Sequence, residues 1–199
     1  MKYVALTLIL SLLPMHVFAD SPNDVIVEAT NLLDQELNAR REELTNDKQA
    51  LYQVIDDILL PRFDRRLAAQ LVLSKHWRTA SDSQKDQFIE AFYTTLVHRY
   101  ADGVLEFDLG KIEILPYRGD ETKKRTSVKT KARLEDGTEV PVNYSLIKRS
   151  QGWLMFDVVI EGISYIRNFR TDFNSEIGAT SLDAVIERLT LEASADKKE

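Results

Sequence analysis

The chain has 199 residues, no cysteine, 26 Lys and Arg against 32 Asp and Glu, and a formal net charge of −6. The acidic balance argues against a nucleic-acid partner, because phosphate backbones select basic surfaces. The lack of cysteine removes disulfides, thiol chemistry and lipidation at an N-terminal cysteine, and the length suits one domain with a sizeable core.

The first residues read as an export signal. Lys2 supplies a positive start, Tyr3 to Leu13 an apolar run that Pro14 ends, and Val17-Phe18-Ala19 a small-x-Ala cleavage site. Residues 1–19 are therefore expected to leave, and the exported chain to start at Asp20. The run falls short of the ~20 apolar residues a spanning helix needs. A cysteine-free, exported chain without an anchor points to the periplasm of a Gram-negative bacterium.

The pattern then becomes helical. Val25 to Arg41 carries Val25, Ala29, Leu32, Leu33 and Leu37 at helical spacing. Asp47 can cap a second helix, with Leu51, Val54, Ile55, Ile58 and Leu59 on its face, and Pro61 ends it. Asp64 caps a third, with Leu67, Ala68, Leu71 and Val72. Ser81 with Gln84 forms a capping box that opens the longest helix, through Phe88, Ile89, Phe92, Leu96 and Tyr100 to a stop at Gly103.

From there the period is two. Ile112 and Ile114 alternate with charges, and Val128, Thr130, Ala132 and Leu134 alternate with Lys129, Lys131 and Arg133. Asp136-Gly137 is a hairpin turn leading to Val140, Val142, Tyr144 and Leu146. Gln151-Gly152 turns into an apolar run, Trp153 to Ile160, of the kind buried on both faces and interrupted by Asp157. Glu161 and Gly162 end that strand, and Ile163, Ile166, Phe169, Phe173 and Ile177 fall on one face of the next helix. A last helix runs from Thr180 or Ser181 through Leu182, Val185, Ile186 and Leu189. The order predicts an α+β single domain over residues 20–193, with a charged tail at 194–199. About four antiparallel strands form a curved meander covered on one face by helices.

Few residues here suit catalysis. Asp157 sits among large apolar side chains, so it must be hydrogen-bonded, paired or neutral. It would serve as the general base of a ketosteroid-isomerase-like enzyme. Alternatively it is structural, accepting bonds from the Gly162 turn or from an arginine. Gly162-Ile163-Ser164 is half a nucleophile elbow, but Ile166 replaces the second glycine, and Ser164 reads better as a helix cap. His76 and His98 are too few for a metal site and have no partner at a telling spacing, so no metal or other cofactor is expected. The basic stripe Lys129, Lys131 and Arg133, with Lys123, Lys124 and Arg125, is either a docking surface for anions or the wet face of a sheet.

Several segments together resemble one family. LPRFD at Leu60 to Asp64, LVLSKHW at Leu71 to Trp77 and SDSQKDQFIEAF at Ser81 to Phe92 are followed by VNYSL at Val142 to Leu146 and GWLMFDVVIEGIS at Gly152 to Ser164. In this order they resemble the MlaC (toluene-tolerance) family of periplasmic phospholipid-binding proteins. Ser74 stands where that family is expected to carry Gly, and Phe156 where Tyr is common. The resemblance implies an NTF2-like fold with an apolar lipid cavity between sheet and helices, and no enzymatic step. Its implied cargo is a glycerophospholipid, its implied job the maintenance of outer-membrane lipid asymmetry. Its implied partners are an MlaD-type ABC transporter complex in the inner membrane and an MlaA-type lipoprotein with a porin in the outer membrane. The residues expected to line the cavity are Leu71, Val72, Phe88, Phe92, Leu96, Tyr100, Val142, Tyr144, Leu146, Trp153, Ile163 and Ile166.

Overall fold

The computed structural model describes residues 21–106, 108–134 and 136–195, so the signal segment 1–19 and the tail end 196–199 lie outside the described residues. Helix starts are written locally. Ser21 and Asp24 form a reciprocal capping box that opens α1, Pro22–Ala39, with Pro22 in the first turn. The long first helix expected from the pattern breaks at Arg40, and a separate α2, Arg41–Asn46, follows. The break lets Leu44 turn into the core formed by α1, α3 and α5, where it is fully buried.

Asp47 accepts the Ala50 N–H and opens α3, Lys48–Leu59. Pro61 lies in a 3₁₀ turn, Leu60–Arg62, that ends it. Asp64 accepts the Leu67 N–H at 2.9 Å and opens α4, Arg65–Leu73. Ser74 then has φ 52 and ψ −111. A side chain is strained there and glycine is not, which is the physical reason for a glycine at this turn. Ser81 and Gln84 cap α5, Asp82–Glu106, reciprocally. This helix runs through Gly103 rather than stopping at it. A mid-helix glycine costs about 1 kcal/mol, and burial of Val97, Ala101 and Leu105 against the α3 core outweighs that.

The sheet is an open antiparallel meander in the order β1-β2-β3-β4-β5. Its strands are β1 Ile112–Ile114, β2 Arg125–Arg133, β3 Glu139–Arg149, β4 Gly152–Ile160 and β5 Ile163–Ser164. The four expected strands are present, and the two-residue β5 is added to them. Ile163 is therefore a strand residue, not the first residue of the helix. Glu161 and Gly162 both have positive φ, 51 and 82, and fold the chain back so that Ile163 pairs with Ile160. The helix α6 is Tyr165–Ala179, and α7, Leu182–Ala195, follows a Ser181 cap.

The register between β3 and β4 shifts at Ser145 and Leu146. Tyr144 pairs with Val158, and Leu146 with Met155, so two β4 residues three apart share one face. On that face Val128, Leu146, Trp153 and Met155 pack with Val25 and Ile26 of α1. On the other, Ile147, Leu154 and Phe156 pack with Leu67 of α4. At this end helices thus reach both faces of the sheet, not the one face that the pattern predicts. A larger core of α4 to α7 is built on stacked and edge-on rings of Phe88, Phe92, Phe169 and Phe173.

Candidate functional site

The sheet and the helices do not close on each other. Between them lies an apolar cavity of about 520 Å³. Its floor comes from β2, β3 and β4, its roof from α1, α3, α5 and the start of α6. Lining residues that reach solvent are Tyr100, 37% exposed, Gly103 and Leu134, 40% exposed, and they mark the end where the cavity opens. The other end is sealed by Ile26, Phe63 and Met155.

Of the residues expected to line a cavity, the structure brings Phe92, Leu96, Tyr100, Val142, Tyr144 and Ile166 together around this one. The remaining six lie elsewhere. Val72 and Phe88 are fully buried in the α4–α7 core, and Leu71 packs at the edge of the same core. Leu146 and Trp153 belong to the packed cluster under α1. Ile163, 55% exposed, lies in the short edge strand β5. For the five that pack into cores the cause is common. An apolar face at the right spacing is buried, but the spacing does not say whether side chains or empty space lie opposite. Sequence reasoning also missed the α1 contribution, Ile26, Ala29 and Leu33, and the α5 end at Val97, Ala101 and Val104. Their helical periodicity carried no sign of it.

Polar groups in the wall are few. Tyr144 makes no side-chain hydrogen bond among the described residues, and burial pushes its hydroxyl up to about 12. Burial also raises Tyr93, with the nearby Asp56 carboxylate adding to the effect, and raises Asp56 itself, where the Tyr93 hydroxyl and His98 act in the opposite direction. His98 stacks on Tyr52 at 4.0 Å between ring centres.

Asp157 is 8% exposed, with both carboxylate oxygens engaged. The Ser164 hydroxyl donates to Oδ2 at 2.7 Å, and the Ile166 N–H donates to Oδ1 at 3.0 Å. Ser164 Oγ in turn accepts the Arg167 N–H at 3.1 Å as the cap of α6. The structural reading of both residues accounts for their contacts, with donors from the α6 start rather than from the Gly162 turn or an arginine. On β2, Lys131 and Arg133 pair with Glu139 at 2.8 and 3.1 Å, which neutralises part of the basic stripe and leaves Lys129 exposed.

With this geometry in place, likeness to known proteins is informative. The profile of the MlaC protein family matches residues 27–190. The toluene tolerance protein ttg2D of Pseudomonas putida is 30% identical over 158 residues, 79% of this chain and 73% of that protein. The intermembrane phospholipid transport system binding protein MlaC of Haemophilus influenzae is 20% identical over 177 residues, 87% and 83% of the two chains. A phospholipid-binding protein of Ralstonia solanacearum, solved with a bound phospholipid, superposes with a TM-score of 0.79 at 19% identity. The superposition covers 91% of this chain and all of that one, and shows that the two share a fold.

Proposed function

The chain belongs to the MlaC family, and from that membership we propose that it binds phospholipid and carries it between membranes. The observation that carries this reading is the open-ended apolar cavity of about 520 Å³ between sheet and helices. The name of the H. influenzae relative and the lipid seen in the R. solanacearum protein support it.

The physical need is large. Two acyl chains carry ~30 CH₂ groups at about 0.8 kcal/mol each, so a bare lipid would cost roughly 24 kcal/mol to release into water. Side chains such as Phe92, Leu96, Val142 and Ile166 replace water around the tails. No bond is broken, and the bound glycerophospholipid is cargo rather than cofactor. The sequence holds no nucleotide-binding loop, so direction must come from a partner. The carrier's station is the periplasm. There it shuttles lipid between an MlaA-type lipoprotein with its porin and an MlaD-type ABC transporter complex, and so keeps the outer membrane asymmetric.

The test is direct. Purified exported protein, extracted under denaturing conditions, should release glycerophospholipid in near-stoichiometric amount by mass spectrometry. Extracts no richer in lipid than those of an unrelated periplasmic protein would overturn the reading.

A further inference from the structure

A second, smaller pocket of about 100 Å³ lies among α5, α6 and α7. It shares Phe92, Leu96 and Phe169 with the apolar cavity, so the wall between the two spaces is one layer of side chains thick. Its character is different. Thr95 at its base is 7% exposed, and its hydroxyl has no hydrogen-bond partner among the described residues. Four charged side chains surround it. Arg188 is already engaged: it grips Glu176 with two hydrogen bonds, 2.6 and 2.7 Å, and Glu192 with a third at 2.6 Å. Glu176 is thereby also satisfied.

Two charges on the rim remain available. Asp172 is exposed and makes no ion pair among the described residues. Arg99 has only a loose contact with Glu192, 3.9 Å, and its guanidinium lies beside the hydroxyl of Tyr100, where the large cavity opens. The pocket thus offers one spare cation, one spare anion and a buried hydroxyl, next to a space built for alkyl chains. A space of this size holds several waters or a head group of similar bulk.

We propose that this pocket is a head-group subsite for a zwitterionic phospholipid, whose phosphate meets Arg99 and whose ammonium meets Asp172 while the tails occupy the neighbouring cavity. This rests on the carrier reading and adds a preference to it. A guanidinium is well matched to phosphate oxygens. A carboxylate beside aromatic rings suits a small ammonium group. An anionic head group without an amine would leave Asp172 unpaired and facing like charge.

The experiment offers the purified full chain to vesicles of equimolar phosphatidylethanolamine and phosphatidylglycerol with identical acyl chains. Protein and vesicles are then separated, and the bound lipids counted by mass spectrometry. The wild type should enrich phosphatidylethanolamine by roughly two- to fivefold, the range of one exposed charge pair. Asp172→Asn should abolish that enrichment, so that phosphatidylethanolamine is bound only in its share of the vesicle. Arg99→Gln should lower the load of both lipids. Asp172 is exposed and unpaired, so its replacement leaves the fold intact. Wild-type uptake in proportion to vesicle composition, or enrichment that survives both variants, would overturn the subsite while leaving the carrier intact. Uptake of neither lipid would overturn the carrier reading, and the subsite with it.

Discussion

At Asp157 a carboxylate sits inside an apolar strand at the cost of desolvation, and the two donors from the α6 start offset that cost. Asp157→Asn keeps the shape but loses the charge that strengthens both bonds, so it should lower stability by about 1–3 kcal/mol. Lipid load should persist, as shown by thermal melts beside lipid mass spectrometry. Turnover of a hydrophobic substrate that vanishes in this variant would instead favour a general base. Tyr144 behaves differently, because none of the described residues accepts its proton. Its folded-state value, about 12 against an ordinary 10, means that the native state holds the proton more tightly than the unfolded chain. That contribution is complete below pH 10 and is lost as pH rises from 10 to 12, about 2–3 kcal/mol in all. Urea unfolding across this window should show a shallower loss of stability in Tyr144→Phe than in the wild type. Some alkaline loss will persist, since burial raises Tyr93 as well.

Elements were legible wherever their ends are set by near neighbours. The caps at Asp47, Asp64, Ser81, Ser164 and Ser181 act over three residues, and each opens a helix where the sequence puts it. The ends that were misread depend on distant contacts. Leu44 draws the chain into a break at Arg40, core burial carries α5 past Gly103, and pairing with Ile160 takes Ile163 into the sheet. Asp64 joins both kinds of contact. It caps α4 locally, and across 85 residues its Oδ2 accepts a hydrogen bond from Arg149 Nε at the end of β3, 2.7 Å, and pairs with the Nη2 of the same guanidinium at 2.6 Å. Its own N–H donates to the Met155 carbonyl of β4 at 2.7 Å. Asp64→Ala should therefore cost about 2–4 kcal/mol, more than a cap alone. Arg149→Ala should cost less, because Asp64 keeps its cap and its partial solvation. Chemical denaturation of the two variants checks the order, and equal costs would mean that the ion pair, not the cap, holds α4 to the sheet.

For the whole molecule the decisive quantity is empty space, which no periodicity encodes. Phe88 and Phe92 lie one helical turn apart on α5, yet only Phe92 reaches the cavity; Phe88 fills the core behind it. Leu146 and Tyr144 share a face of β3, yet Leu146 is packed under α1 while Tyr144 lines the cavity. Val142 is the sharpest probe of this difference, being one β-repeat nearer the mouth than Tyr144. In a solid interior, Val142→Arg would bury an unpaired charge and cost several kcal/mol, as much as a small domain's whole stability, so the chain would not fold. In a cavity open at Tyr100 and Leu134, the long side chain can lie along apolar walls and bring its guanidinium to water. The variant should then fold, with a native circular dichroism spectrum, and carry little or no lipid, since the arginine stem occupies the space of the tails. Cells that depend on the protein should lose detergent resistance to match. An unfolded variant would mean that the space closes in solution, and a folded variant with a full lipid load would move the tails away from β3.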